Sequence, residues 1–131
     1  VSNDAEWALR NRVNAYGAAL PDELGGHLDY APGWFVHTFE RILASSDSNL
    51  AACPECFMLD ADGTRSPRQL CPTHPRVVAL AIDRVRQVLA QHPDVELVDV
   101  SQNDIRGYCH CDRCTALNGP EGTPAAARDG R

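Results

Sequence analysis

The sequence predicts an α/β fold, and three neighbouring features carry that prediction. Residues 73–91 place apolar side chains at helical spacing, residues 95–100 (VELVDV) form a short apolar run, and the polar tetrad Ser101-Gln102-Asn103-Asp104 ends that run abruptly. A long helix, a short loop and an apolar run make half of a βαβ unit, so the run reads as a buried parallel strand. In α/β proteins the chemistry collects just past the carboxyl end of such a strand, where loops are free to vary. Gln102, Asn103 and Asp104 occupy that position, and Cys109, Cys111 and Cys114 lie in the loop beyond it.

Taken in order, the chain begins with a segment, residues 1–17, that fits a short helix or a strand equally well. If it is a strand, Arg10, Asn11 and Arg12 stand at its end. Residues 18–31 hold Pro21, Gly25 and Gly26 and read as loop, with His27 where a glycine pair lets backbone approach a ligand. From Pro32 the residues Trp34, Phe35, Thr38, Phe39, Ile42 and Leu43 recur at three- and four-residue steps, which predicts an amphipathic helix ending near Ser45. Residues 49–70 read as loop with one hairpin, in which residues 56–59 pair with a strand after Gly63 around Asp60-Ala61-Asp62-Gly63. Arg65 and Arg68 follow that turn and could clamp a carboxylate.

The helix over residues 73–91 is the clearest element. Thr73 can cap it, Pro75 fits its first turn, and Val78, Ile82, Val85 and Leu89 form one apolar stripe that Val77, Ala81 and Val88 widen. Pro93 and Asp94 stop it. The tail from Asn118, small, polar and rich in glycine and proline, is expected to be poorly ordered.

Composition narrows the function classes. The 131 residues suffice for one ordinary core, and a formal charge of −6 argues against a nucleic-acid partner. No run of about 18 apolar residues is present, so nothing is expected to span a membrane. The chain starts at Val1 without an apolar leader core, which suggests a removed leader or a piece of something longer. Six cysteines are many for this length, and the spacings C-x-x-C and C-x-C-x-x-C fit disulfides or metal thiolates. No Cys–His arrangement with a supporting third residue stands out, which argues against a catalytic cysteine.

Several motifs occur together: Trp7-Ala-Leu-Arg-Asn-Arg12, Asp62-Gly63-x-Arg65 leading to Gln69-Leu70-Cys71, His74-Pro75-x-Val77, and Ser101-Gln-Asn-Asp104 before Cys109-x-Cys111-x-x-Cys114. In this order they resemble an uncharacterised bacterial domain family found behind an α-glucuronidase-type domain and classed with glycoside hydrolase (β/α)8 barrels. The resemblance runs from about residue 7 to residue 122, and it implies a partial (β/α)8 barrel over residues 1–122 with a disordered tail at 123–131. Two departures stand out. The family shows His-Pro-Glu-Tyr-Phe where this chain has Cys53-Pro-Glu-Cys56-Phe57, and this chain is far shorter than the roughly 250 residues of a full barrel.

What the resemblance implies about function is carbohydrate chemistry, extracytoplasmic and inactive in a fragment. Glycoside hydrolysis needs two carboxyl groups about 5 to 9.5 Å apart. Asp104 and Glu55 are the catalytic candidates, and Arg10, Asn11, His27, Gln102 and Asn103 are candidate sugar hydrogen-bonders on the same rim. Cys71, Cys109, Cys111 and Cys114 are the cysteines shared with the family, and as thiolates they could close a structural zinc site. The same four could form two disulfides, or Cys53-x-x-Cys56 could join Cys111-x-x-Cys114 in a zinc ribbon. A small zinc-stabilised interaction module without catalysis is the alternative function.

Overall fold

The computed structural model describes Trp7, Arg10, Asn11 and residues 20–24 and 29–118. Trp7 and Arg10 are helical, and the Asn11 N–H donates to the Trp7 carbonyl at 3.0 Å; the rest of residues 1–17 lies outside the described residues. A short 3-10 turn, Asp22–Leu24, precedes the main body. That body comprises α1 (Phe39–Ile42), α2 (Asp47–Ala52), a 3-10 turn at Pro54–Cys56, β1 (Phe57–Leu59), β2 (Arg65–Leu70), α3 (Pro75–Gln91) and α4 (Asp112–Asn118).

The expected partial barrel with parallel strands is not what forms. Among the described residues the only sheet is the antiparallel hairpin β1–β2, in a small mixed α and β arrangement. Residues 95–101 form no strand and make a single parallel bridge, Leu97 with Tyr30. The reason lies in the facing segment, residues 29–39, which turns at Gly33 (φ 75°) and His37 (φ 55°) and cannot sustain a ladder. Its contacts with the run are irregular: Ala31 N–H donates to the Leu97 carbonyl at 2.8 Å, Asp99 N–H to Trp34, and Phe39 N–H to Ser101. The buried Thr38 hydroxyl then substitutes for strand pairing, donating to the Asp99 carbonyl at 2.9 Å and accepting from the Ser101 N–H at 3.0 Å.

The hairpin forms where the Asp-Gly step placed it. Gly63 sits at φ 84°, a region that glycine enters without a Cβ penalty. The Asp62 carboxylate accepts from both the N–H and the hydroxyl of Thr64, which holds its pKa below the usual carboxylate range. Leu59 pairs with Arg65 and Met58 with Ser66, after which the register shifts so that Phe57 faces Leu70. Pro67 falls within that irregular stretch, where its missing N–H removes no ladder bond. Arg65 donates to the Phe57 carbonyl at 2.7 Å and Arg68 pairs with Asp60 at 3.5 Å, so both arginines brace the hairpin.

Because side chains alternate across a strand, the hairpin separates two cores. Phe57 and Leu70 point into one with Ala31, Trp34, Ile42, Cys53, Cys56, Val77 and Val88. Met58 and Cys71 point into the other with Cys109 and Cys114.

The helix expected from Pro32 shrinks to the single turn α1, and α2 arises where loop was expected, capped by the Ser46 hydroxyl accepting from the Asn49 N–H at 3.2 Å. Helix α3 forms with Pro75 in its first turn, but its buried line is Val77 and Val88 with partly buried Leu80 and Ala81. Of the expected core stripe, Val78, Ile82 and Leu89 are 42–46% exposed and Val85 is half-buried. The apolar surface of α3 is wider than its partner, and the core took one flank of it. No helix among the described residues is long and apolar enough to cross a membrane. The expected C-terminal tail lies outside the described residues.

Urea unfolding should separate the core, to which Ile42 of α1 belongs, from the exposed flank of α3. Ile42→Ala, at 3% exposure, should cost about 2–5 kcal/mol, whereas Ile82→Ala should cost less than about 1 kcal/mol.

Candidate metal centre

Two chain segments meet behind Met58. The first is the exit of β2, where the Cys71 N–H donates to the Cys56 carbonyl at 2.8 Å and the His74 N–H donates back to Cys71 at 3.1 Å, folding Pro72 and Thr73 into a turn. The second is the loop before α4. His110 N–H donates to the Leu59 carbonyl at 2.8 Å, which docks that loop on the end of β1. Gly107, at φ 102°, takes a backbone conformation that side chains rarely adopt, and the loop turns there beside Met58. Helix α4 begins at Asp112, so Cys111 and Cys114, three residues apart, share one side of its first turn.

The result is a cluster of four free cysteines. Cys71, Cys109 and Cys114 are buried and Cys111 is half-buried. Cys71 Sγ lies 3.6 Å from Cys111 Sγ and 3.7 Å from Cys114 Sγ, and all four sulfurs fall within 4.8 Å of one another. A disulfide requires about 2.05 Å, so in this state the four cysteines are free thiols and not two disulfides. Four thiolates at about 2.3 Å from a tetrahedral zinc are about 3.8 Å apart along each edge. The separations of Cys71 from Cys111 and Cys114 match that edge.

Electrostatics set the thiols of the cluster apart from one another. Burial pushes the Cys109 thiol up, and burial with the neighbouring sulfurs carries Cys114 to about 12. Burial also opposes ionisation of Cys111, but hydrogen bonds from the Cys114 N–H and from the neighbouring thiols outweigh it and bring Cys111 down to about 6. Cys111 is thus the member of the cluster whose thiolate its neighbours favour. Around it, the Leu59 N–H donates to Cys109 Sγ at 3.4 Å, and the Thr73 hydroxyl lies 3.1 Å from Cys114 Sγ. Such outer contacts orient ligands and offset thiolate charge.

Cys53 and Cys56 stand apart from this cluster and are joined to each other in a disulfide, which excludes the zinc-ribbon pairing in this state. His74 is their neighbour: its Nδ1 is 3.7 Å from Cys56 Sγ. The sequence showed no such Cys–His contact, because 18 residues separate the pair and the hairpin closes the gap.

The tetrad that follows residue 100 is largely built into the structure. The buried Gln69 amide pairs with the Asn103 backbone like a strand neighbour, donating to its carbonyl at 2.8 Å and accepting from its N–H at 3.0 Å. Asn103 Nδ2 donates to the Arg68 carbonyl at 2.9 Å, while its buried Oδ1 has no partner among the described residues. Ser101 accepts from the His37 N–H at 3.0 Å, and His37 Nδ1 lies 3.2 Å from the Gln102 carbonyl. Gln102 and Asp104 are exposed, as is Glu55 in the Pro54–Cys56 turn. Asn11 is exposed and its side chain donates to the Trp7 carbonyl at 2.8 Å; Arg10 is likewise exposed. His27 lies outside the described residues.

Three contributors escaped the sequence reading. Thr73 was expected to cap α3, but its hydroxyl serves Cys114, and His74 occupies the cap position without a side-chain bond. Gln69 carries no sequence signal beyond being polar at the end of a strand. Thr38 looked like one polar member of a helical stripe.

Compared with known families, residues 1–128 match the model described as a domain of unknown function, DUF4838. No curated protein and no solved structure matches the chain.

Replacing Gln69 by Leu strands the Asn103 N–H and carbonyl without partners. Denaturant titration should show a loss of about 2–4 kcal/mol, and hydrogen exchange should accelerate at the Asn103 amide first.

Proposed function

Because the chain belongs to the DUF4838 family of domains of unknown function, we propose a function from the site itself: Cys71, Cys109, Cys111 and Cys114 hold a structural zinc ion. The observation that supports this reading is the 3.6 and 3.7 Å sulfur separations in a cluster whose four members come from two distant segments. Soft thiolates in a four-sulfur set select zinc or iron over hard cations. Four protein ligands leave no open position, so the centre does structural rather than catalytic work. It staples the end of the hairpin to the loop and helix that follow residue 104, and the domain serves as a metal-stabilised module for interaction.

The chain's own residues set the pH dependence. Cys109 and Cys114 are raised and must each give up a proton on loading, so affinity strengthens as pH rises and weakens as it falls. Below about 6 Cys111 is protonated as well, and the dependence steepens. Competition with a chromophoric chelator should therefore show affinity rising by at least about two decades per pH unit between pH 6.5 and 8. Thr73→Val should cost about 10–100-fold in zinc affinity, and Cys114→Ser more than that. Chelation of the wild type should lower Tm and release the His110 amide, bonded to Leu59, to hydrogen exchange. Protein purified without metal and indifferent to added zinc in these measurements would overturn the reading.

A second reading, carbohydrate contact by the tetrad, rests on its exposed member beside Asn103, whose own Oδ1 is buried beyond a glycan's reach. That member, Gln102, lines a cleft of about 380 Å³ with Ser101 and Tyr108. If this cleft takes a glycan identified by array screening, Gln102→Ala should weaken its binding about fivefold, the worth of about 1 kcal/mol for a hydrogen bond, with zinc content unchanged. Full retention of affinity would remove Gln102 from the contact.

A further inference from the structure

We propose that Cys53, Cys56 and His74 form a second metal site, with two thiolates and one imidazole as ligands, which exists only when the Cys53–Cys56 disulfide is reduced. The three ligand atoms already lie within 4.8 Å of one another, and His74 Nδ1 is 3.7 Å from Cys56 Sγ. Both sulfurs are buried, whereas His74 is half-buried. This leaves one side of the site open for a fourth, exogenous ligand.

The local fold holds this geometry whichever state the sulfurs adopt. Cys53 ends α2 with its N–H donating to the Asn49 carbonyl at 3.0 Å, and the Cys56 N–H donates back to Cys53 at 3.0 Å across the Pro54–Cys56 turn. A C-x-x-C turn of this kind presents two sulfurs to one point, as in thiolate zinc sites. His74 is fixed from the other side by its own N–H on the Cys71 carbonyl and by α3, whose Val78 N–H donates to the His74 carbonyl at 3.0 Å. Its ring faces Cys56 because the Cys71–Cys56 backbone bond brings the exit of β2 against the entry of β1. Imidazole nitrogen and thiolate sulfur together suit zinc, which takes such mixed sets at about 2.0–2.3 Å.

The switch balances as thiol–disulfide exchange. Two equivalents of a low-molecular-weight thiol break the Cys53–Cys56 bond, delivering two electrons to its sulfurs, and leave as one disulfide. The two cysteine thiols then lose their protons to solvent on binding the divalent cation. A low-molecular-weight disulfide reverses both steps: it takes two electrons from the two cysteine sulfurs as their bond re-forms, leaves as two thiols, and the ion is released. The two sites sit back to back, because Cys71 of the four-cysteine cluster bonds the backbone of Cys56.

The experiment uses the whole chain and zinc alone as probe. Protein kept oxidised and protein reduced with dithiothreitol, then desalted without oxygen, are each saturated with zinc, gel-filtered and analysed for metal. Reduction should add one equivalent of zinc. That added equivalent should shield Cys53 and Cys56 from iodoacetamide in peptide mapping, and it should be absent from Cys53→Ser and His74→Gln proteins. The increment is read separately from the four-cysteine centre: Cys114→Ser should lower the count in both states and leave the difference of one equivalent intact. No increment in the reduced wild type overturns the proposal without recourse to any variant. An increment that persists in His74→Gln, or that fails to protect Cys53 and Cys56, overturns it equally.

Discussion

The backbone bond from the Cys71 N–H to the Cys56 carbonyl closes the open end of the hairpin, and most of the other order in the domain runs through it. An isolated two-stranded hairpin is marginal in water, so it persists only when something covers its faces. Here Phe57 and Leu70 meet the aromatic and aliphatic core on one side, and Met58 and Cys71 meet the cysteine cluster on the other. Alternation along the strand sends Leu70 and Cys71 in opposite directions. One residue of slippage would exchange them and place a thiol in the apolar core. The Cys71–Cys56 bond therefore sets both the register and the location of the candidate metal centre.

A second layer of order comes from side chains that imitate backbone. Gln69 pairs with Asn103 as a strand neighbour would, and Thr38 does the same between Asp99 and Ser101. Both are buried at 3% and 0% exposure, where an unmade hydrogen bond costs more than a made one contributes. Glu40 extends the lock to Ser45, whose N–H donates to Glu40 Oε2 at 2.8 Å and whose hydroxyl reaches the Pro67 carbonyl at 2.6 Å. His37, at φ 55°, occupies a region uncommon for a residue with a side chain, and its bonds to Ser101 and Gln102 hold it there. The tetrad is thus first a structural joint, and the cysteine loop hangs from it.

Helix α3 shows how little of an apolar surface a small core can use. Val77 and Val88 are buried, while Val78, Ile82 and Val85 line a groove of about 500 Å³ with Phe39, Ile42 and Val100. Periodicity measures how wide the apolar arc is but not which part of it finds a partner.

What the sequence determined by itself was whatever short-range chemistry controls. The Asp62-Gly63 turn, the start of α3 at Pro75 and its stop before Pro93, and the Cys111-x-x-Cys114 spacing all depend on backbone preferences within a few residues. The grouping of Cys71 with Cys109, Cys111 and Cys114 was also legible, through motif order and not through any distance. Tertiary structure alone decided the rest. An apolar run such as residues 95–100 becomes a sheet strand only if a neighbour offers a regular ladder, and the turns at Gly33 and His37 deny it one. Likewise Thr73 beside Cys114, His74 beside Cys56 and Gln69 beside Asn103 are contacts across 18 to 41 residues. The His74–Cys56 contact follows from the closure of the hairpin and the other two from the docking of the loop after residue 100 against it, which no local propensity records.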